Sequence, residues 1–95
     1  MAIKVAIVED NEKIREGLAV LIDGSEGFQC SAAYESAEEA LRHLPAYTPD
    51  VVLMDIQLPR MSGIECVEKL KAKDPDVQIM MLTVYEDDEK IFKSL

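Results

Sequence analysis

The 95-residue chain has no tryptophan, one histidine, two cysteines, and only four glycines and four prolines. With His43 as the lone imidazole, a histidine-based metal centre or a Ser/His/Asp triad is not expected. Cys30 and Cys66 stand apart in apolar surroundings without a C-x-x-C spacing, so they read as buried reduced thiols. Positive charge is scarce as well: 10 Lys and Arg face 19 Asp and Glu, for a net −9. A surface of that sign repels the phosphate backbone, so no direct DNA binding is expected of this domain. Lys69, Lys71 and Lys73 come nearest to a basic patch and read as a solvated helix face. No apolar run approaches the roughly 20 residues that span a bilayer. Met1-Ala2-Ile3-Lys4-Val5 enters a strand directly, without a signal-peptide pattern, and the expectation is a cytoplasmic protein with no membrane contact. Internal repeats, low-complexity tracts and linkers are lacking too, and the length suits one domain with a modest core.

What is present is an alternation of apolar runs and amphipathic segments. Ile3 to Val8 is a short apolar strand that ends in Glu9-Asp10. Asn11 can cap the helix that follows, whose apolar face is Ile14, Leu18, Leu21 and Ile22, and Asp23-Gly24-Ser25 ends it. Gly17 inside this helix suggests close packing on a sheet. Phe28 to Tyr34 is a weaker strand, and Ser36 with Glu39 fits a capping box opening a helix that buries Ala37, Ala40, Leu41 and Leu44. Pro45 and Pro49 bracket the connection to the next strand. That strand, Val51-Val52-Leu53-Met54, runs without polar interruption into Asp55, as suits a strand covered on both faces. Pro59 and Gly63 mark a structured loop. Gly63 to Lys73 is a third helix with Ile64, Val67 and Leu70 inward, Val77 to Leu82 a fourth strand, and Glu86-Asp87-Asp88-Glu89 opens a fourth helix carrying Ile91, Phe92 and Leu95. Strict β-α alternation predicts an α/β fold with a doubly wound parallel sheet and right-handed crossovers.

Three strands finish on a polar side chain: Glu9-Asp10, Asp55 and Thr83. In a parallel sheet these ends share one edge, separated by about 5 Å per strand step, the edge at which open α/β sheets place ligands. Taken singly, Glu9 and Asp10 can serve the next helix N-terminus, and Thr83 is an ordinary strand residue. Together they crowd three carboxylates beside a hydroxyl, which raises at least one carboxyl pKa unless a counter-charge is present. Mg²⁺ resolves such a cluster through oxygen ligands. The arrangement suits phosphoryl chemistry, with an aspartate as nucleophile forming an acyl phosphate.

Glu9-Asp10, the Leu53-to-Pro59 stretch with Met61-Ser62-Gly63, and Leu82-Thr83 resemble the response-regulator receiver domains of two-component signalling, with colinear spacing along the whole chain. The resemblance implies a flavodoxin-like (βα)5 fold with strand order 2-1-3-4-5. It implies Asp55 as the residue phosphorylated by a partner histidine kinase, and Mg²⁺ held by Glu9, Asp10, Asp55 and the Gln57 carbonyl. Thr83 matches the switch hydroxyl, and Gln57 and Tyr85 match the positions that tune hydrolysis of the acyl phosphate. A receiver is a signalling domain that uses its kinase as phosphodonor rather than an enzyme in its own right, with intrinsic autodephosphorylation. The Leu82-to-Asp88 stretch is most similar to the NarL/FixJ-like subgroup, which implies a helix-turn-helix output domain in the parent protein and transcriptional control.

The family's fifth strand, with its phosphate-pairing lysine, and its fifth helix have no counterpart before Leu95, and Lys90 and Lys93 do not match that lysine. The expectation is a receiver domain over residues 1–95, incomplete at its C-terminal side, in which phosphorylation is weakly coupled to a switch. The fourth strand is expected to be an unpaired apolar edge through which the chain self-associates. Three other readings fit less of the sequence. An aspartate-nucleophile hydrolase needs Asp-x-Asp after the first strand, and a flavin-binding domain needs a Ser/Thr/Gly-rich loop there. A phosphorylation-independent interaction module with the receiver fold leaves the acidic residues unexplained.

Overall fold

The computed structural model describes residues 2–44 and 49–82. Over these residues the elements run β1 (Ile3–Val8), α1 (Glu12–Asp23), β2 (Phe28–Tyr34), α2 (Ala37–His43), β3 (Val51–Asp55), α3 (Gly63–Lys73) and β4 (Gln78–Leu82). The strands form one parallel sheet in the order β2-β1-β3-β4, which agrees with the order the resemblance implied. The expected fourth helix, with Ile91, Phe92 and Leu95, lies outside the described residues.

Each helix starts where its cap stands. The Asn11 side chain accepts from the Ile14 N–H at 3.0 Å, Ser36 from Glu39 at 3.1 Å and Ser62 from Glu65 at 3.2 Å. Each of these bonds satisfies a first-turn donor that has no partner within its own helix. Ser62 reads in the sequence as part of the Met61-Ser62-Gly63 loop motif, and its capping role shows only in the fold.

The core lies on one face of the sheet. Ala6, Val8, Val52 and Met54 pack there against Ala37, Ala40 and Leu44 on the α2 side and Cys66 and Leu70 of α3. Val8, Val52 and Met54, fully buried, contribute about 1.5–3 kcal/mol each. The Cys66 thiol donates to the Ala37 carbonyl at 3.8 Å, joining α3 to α2, and burial pushes its pKa up to about 11. Cys66 is thus an inert packing thiol, as expected, whereas Cys30 is only half-buried.

The opposite face is less covered, and several expectations change on both faces. Val5 and Ile7 are buried, and α1 packs on β1 and β2. Val51 and Leu53, which point away from the α2–α3 core, are half-buried, so β3 is not evenly enclosed. Leu21 of α1 is 68% exposed and Ile64 of α3 is 57% exposed, although both were expected inward. In α3 the inward set is Gly63, Cys66 and Leu70, a register in which the small Gly63 and Cys66 approach the sheet and Ile64 turns outward. Gly17 is exposed with open space around it, so close packing is not its reason.

Strand β2 was the weakest in sequence, and its pairing shows why. Val5 pairs with Cys30 but Ala6 pairs with Ala32, leaving Ser31 as a bulge whose hydroxyl donates to the Val5 carbonyl at 3.3 Å. An extra residue breaks the two-residue alternation that identifies a strand. Lys69, Lys71 and Lys73 are exposed along α3, as a solvated face requires. His43, at the end of α2, stacks on Tyr34 with ring centroids 5.8 Å apart.

Candidate functional site

Val8 and Met54 are paired neighbours on β1 and β3, so the next residues, Glu9 and Asp55, emerge side by side at the carboxyl edge. Asp10 follows on the turn into α1. One carboxylate oxygen from each of Glu9, Asp10 and Asp55 lies within 4.8 Å of the others. Glu9 is fully buried, Asp55 is 2% exposed and Asp10 is half-buried. Three acidic groups are therefore held together largely out of water, an arrangement that costs free energy unless something compensates it.

Backbone donors supply part of that compensation. The Asn11 N–H donates to Glu9 Oε2 at 3.0 Å, and the Gln57 N–H donates to Asp55 Oδ1 at 3.0 Å. Position is set from behind by Glu9 N–H to the Tyr34 carbonyl at 3.0 Å and Ile56 N–H to the Leu82 carbonyl at 3.0 Å. Arg15, one turn into α1, donates Nη1 to the Glu9 carbonyl at 3.0 Å and to the Asp10 carbonyl at 3.4 Å. Its guanidinium thus holds the backbone of the acidic pair. Among the described residues no Lys or Arg forms an ion pair with the three carboxylates. Arg15 carried no signal in the sequence, since an arginine in the first turns of a helix normally faces solvent.

The electrostatic result falls on Glu9. Burial, opposed by the Asn11 N–H and reinforced by Asp10 and Asp55, pushes its pKa up from 4.5 to about 8. Glu9 Oε1 and Asp10 Oδ1 are buried with no hydrogen-bond partner. Buried acceptors without donors are rare in folded proteins and point to an ion or water at that place. A hard divalent cation fits the cluster: the donors are all oxygen, two lack partners, and their spacing allows one ion to touch all three.

The other expected site residues divide. Gln57 is brought to the cluster through its amide bond to Asp55, and its side chain is exposed. Thr83 and Tyr85 lie outside the described residues. Leu82, immediately before Thr83, is the register partner of Asp55. The loop after Asp55 closes on itself: the Gly63 N–H donates to the Ile56 carbonyl at 3.1 Å, and Arg60 at its tip takes a left-handed φ of 64°. That conformation costs a non-glycine residue roughly 1–2 kcal/mol. The Arg60 side chain lies 3.7 Å from Glu38 of α2, an exposed ion pair of little energetic weight.

Comparison with known proteins is consistent with this geometry. The family profile described as "Response regulator receiver domain" matches residues 5–95. "Response regulator GacA" of Pseudomonas syringae pv. syringae is 35% identical over 86 residues, covering 90% of this chain and 40% of that protein. "Transcriptional regulatory protein DegU" of Brevibacillus brevis is 32% identical over 89 residues, covering 94% of this chain and 38% of that protein. The chain thus spans about two fifths of the length of the curated relatives it matches. Among solved structures, a LuxR-family two-component response regulator from Aurantimonas sp. SI85-9A1 superposes with a TM-score of 0.84 at 30% identity, covering 99% of this chain and 67% of that one. The CheX-CheY-BeF3-Mg+2 complex from Borrelia burgdorferi contributes a match with a TM-score of 0.78 at 26% identity, covering 94% of this chain and 67% of that one.

Proposed function

The chain belongs to the response regulator receiver domain family, and from that membership we propose that Asp55 is its phosphoacceptor, supplied by a partner histidine kinase. The observation that carries this reading is the buried cluster of Glu9, Asp10 and Asp55 at the carboxyl edge of the sheet, with the Asp55 carboxylate held in one rotation by the Gln57 amide. In the transfer, an Asp55 carboxylate oxygen attacks the phosphorus of a phosphohistidine. A P–O bond forms, the P–N bond breaks, and the departing imidazole takes a proton from solvent. Glu9 and Asp10 would hold Mg²⁺ with Asp55 and the Gln57 carbonyl, and the ion would supply charge neutralisation at the phosphoryl oxygens. The Borrelia burgdorferi relative, in complex with BeF3 and Mg²⁺, supports that cation. Thr83 supplies a hydroxyl to a phosphoryl oxygen, and Gln57 and Tyr85 set how readily water hydrolyses the acyl phosphate.

In the parent protein the output is a helix-turn-helix DNA-binding domain that controls transcription in the cytoplasm. The relatives named as transcriptional regulators and the LuxR-family structure support this. Among the described residues, no helix is long and apolar enough to cross a membrane. The test is intact mass after incubation with Mg²⁺ and acetyl phosphate. One phosphoryl group is expected on the chain, and none when EDTA replaces Mg²⁺. An unchanged mass with Mg²⁺ would sink the phosphoacceptor reading and leave the interaction module.

Self-association through β4 belongs to the same proposal. This strand is the last of the sheet among the described residues, and Met80 on it is 58% exposed. An apolar edge with no partner strand among the described residues recruits a strand from another chain. Light scattering at rising concentration is expected to give a mass above the monomer, and a constant monomer mass refutes it.

A further inference from the structure

We propose that Gly63 is a positioning residue for phosphoryl transfer, because its missing side chain lets α3 begin in direct contact with the peptide of the phosphoacceptor. This inference rests on Asp55 being that phosphoacceptor. The sequence presents Gly63 as a loop marker and as the start of the third helix, without a reason for glycine there. The structure places it as the buried first residue of α3. Among the described glycines only Gly27 has a left-handed φ, so conformational freedom is not what position 63 requires. Space is. A Cβ built on Gly63 falls far inside van der Waals contact with the Asp55 carbonyl oxygen, 2.9 Å from the Asp55 carbonyl carbon and 3.0 Å from Ile56 Cα. All three are backbone atoms, so no flexible side chain can yield.

Neither partner in that contact is free to retreat. Asp55 is fixed from β4 through the Ile56 N–H to the Leu82 carbonyl, and α3 is fixed by Cys66 and Leu70 in the core. The segment between them is the loop 56–62, which carries the Gln57 amide bonded to Asp55 Oδ1 and ends at the Gly63-to-Ile56 hydrogen bond. Any side chain at 63 therefore transmits its displacement to the rotation of the Asp55 carboxylate and to the Gln57 carbonyl. A shift of about 1 Å in a reacting group is enough to cost on the order of a hundredfold in rate.

The experiment compares wild type, Gly63→Ala, Gly63→Ser and Gly17→Ala, the last adding the same methyl at an exposed glycine with open space around it. Circular dichroism and thermal unfolding report the fold, calorimetric titration reports Mg²⁺ binding, and intact mass reports adduct formation at saturating acetyl phosphate and Mg²⁺. Gly63→Ala is expected to bind Mg²⁺ more weakly and to form the adduct at least about tenfold more slowly at saturation. Gly63→Ser is expected to be worse, and Gly17→Ala to equal wild type. A folded Gly63→Ala with wild-type Mg²⁺ affinity and wild-type rate overturns the proposal, whatever its melting temperature. Should Gly63→Ala not fold, the wild-type amide resonance of Gly63 decides. It is expected to move with the same Mg²⁺ midpoint as that of Gln57, and a stationary resonance overturns the proposal. If wild type itself gains no phosphoryl group, the phosphoacceptor reading fails, while Mg²⁺ binding and the Gly63 resonance still judge the positioning.

Discussion

Asp55→Asn is expected to abolish the phosphoryl adduct completely while raising the melting temperature of the metal-free chain. The first half follows from the removal of the nucleophilic oxygen pair, since an amide does not form an acyl phosphate under these conditions. The second half follows from the electrostatics of the cluster. Asp55 is one of three carboxyl groups within 4.8 Å, buried and without an ion-paired Lys or Arg among the described residues. Asparagine keeps the shape and the acceptor for the Gln57 N–H, and it removes a charge that opposes ionisation of Glu9. A gain of about 1 kcal/mol corresponds to roughly 4–8 °C for a domain of this size. Thermal unfolding in EDTA checks the gain, and intact mass checks the loss. A melting temperature lower than wild type would mean that Asp55 stabilises the apo fold, contrary to the repulsion argued here.

The second large effect concerns pH. The folded pKa of Glu9, about 8, stands above its ordinary value of 4.5. The folded chain therefore holds a proton that the unfolded chain releases between these values. The stabilisation from neutral Glu9 is complete below about 4.5 and is lost as pH rises through about 8. The metal-free chain is expected to melt at progressively lower temperature from pH 5 to pH 8, with an upper slope of about 1.4 kcal/mol per pH unit. At the proposed site Mg²⁺ would displace that proton, so its apparent affinity is expected to rise up to about tenfold per pH unit and to level off above pH 8. The groups that set this behaviour face Glu9 from two sides: Asp10 and the Asn11 N–H in the turn before α1, and Asp55 at the end of β3. Glu9→Gln is expected to flatten both profiles. A metal-free melting temperature that rises between pH 5 and pH 8 would contradict the assignment.

Much of this is legible in the amino-acid sequence. The strand limits of β1 and β2, the limits of α3, the Asn11 and Ser36 caps and the edge shared by Glu9, Asp10 and Asp55 all follow from local rules of period and capping. What failed to show has a common cause, because it depends on contacts between distant segments. Ile64 reads as inward by apolar spacing, yet α3 turns Cys66 toward Ala37, a pairing no local pattern announces. Gly17 reads as the close-packed glycine and Gly63 as a loop marker, and only the folded chain shows that the first borders open space and the second a carbonyl. Arg15 reads as a solvent-facing cation until α1 is docked. The bulge at Ser31 hides the alternation of β2.

Asn11 links two events that are usually considered apart. Its N–H holds Glu9 Oε2, and its side chain satisfies the Ile14 N–H at the first turn of α1. The Glu9 carboxyl group and the helix thus share one residue, and a change in what Glu9 binds is felt where α1 is nucleated. Fraying of that first turn, read as solvent exchange of the Ile14 amide, becomes a gauge of the charge state of a buried acid that no solvent probe can touch.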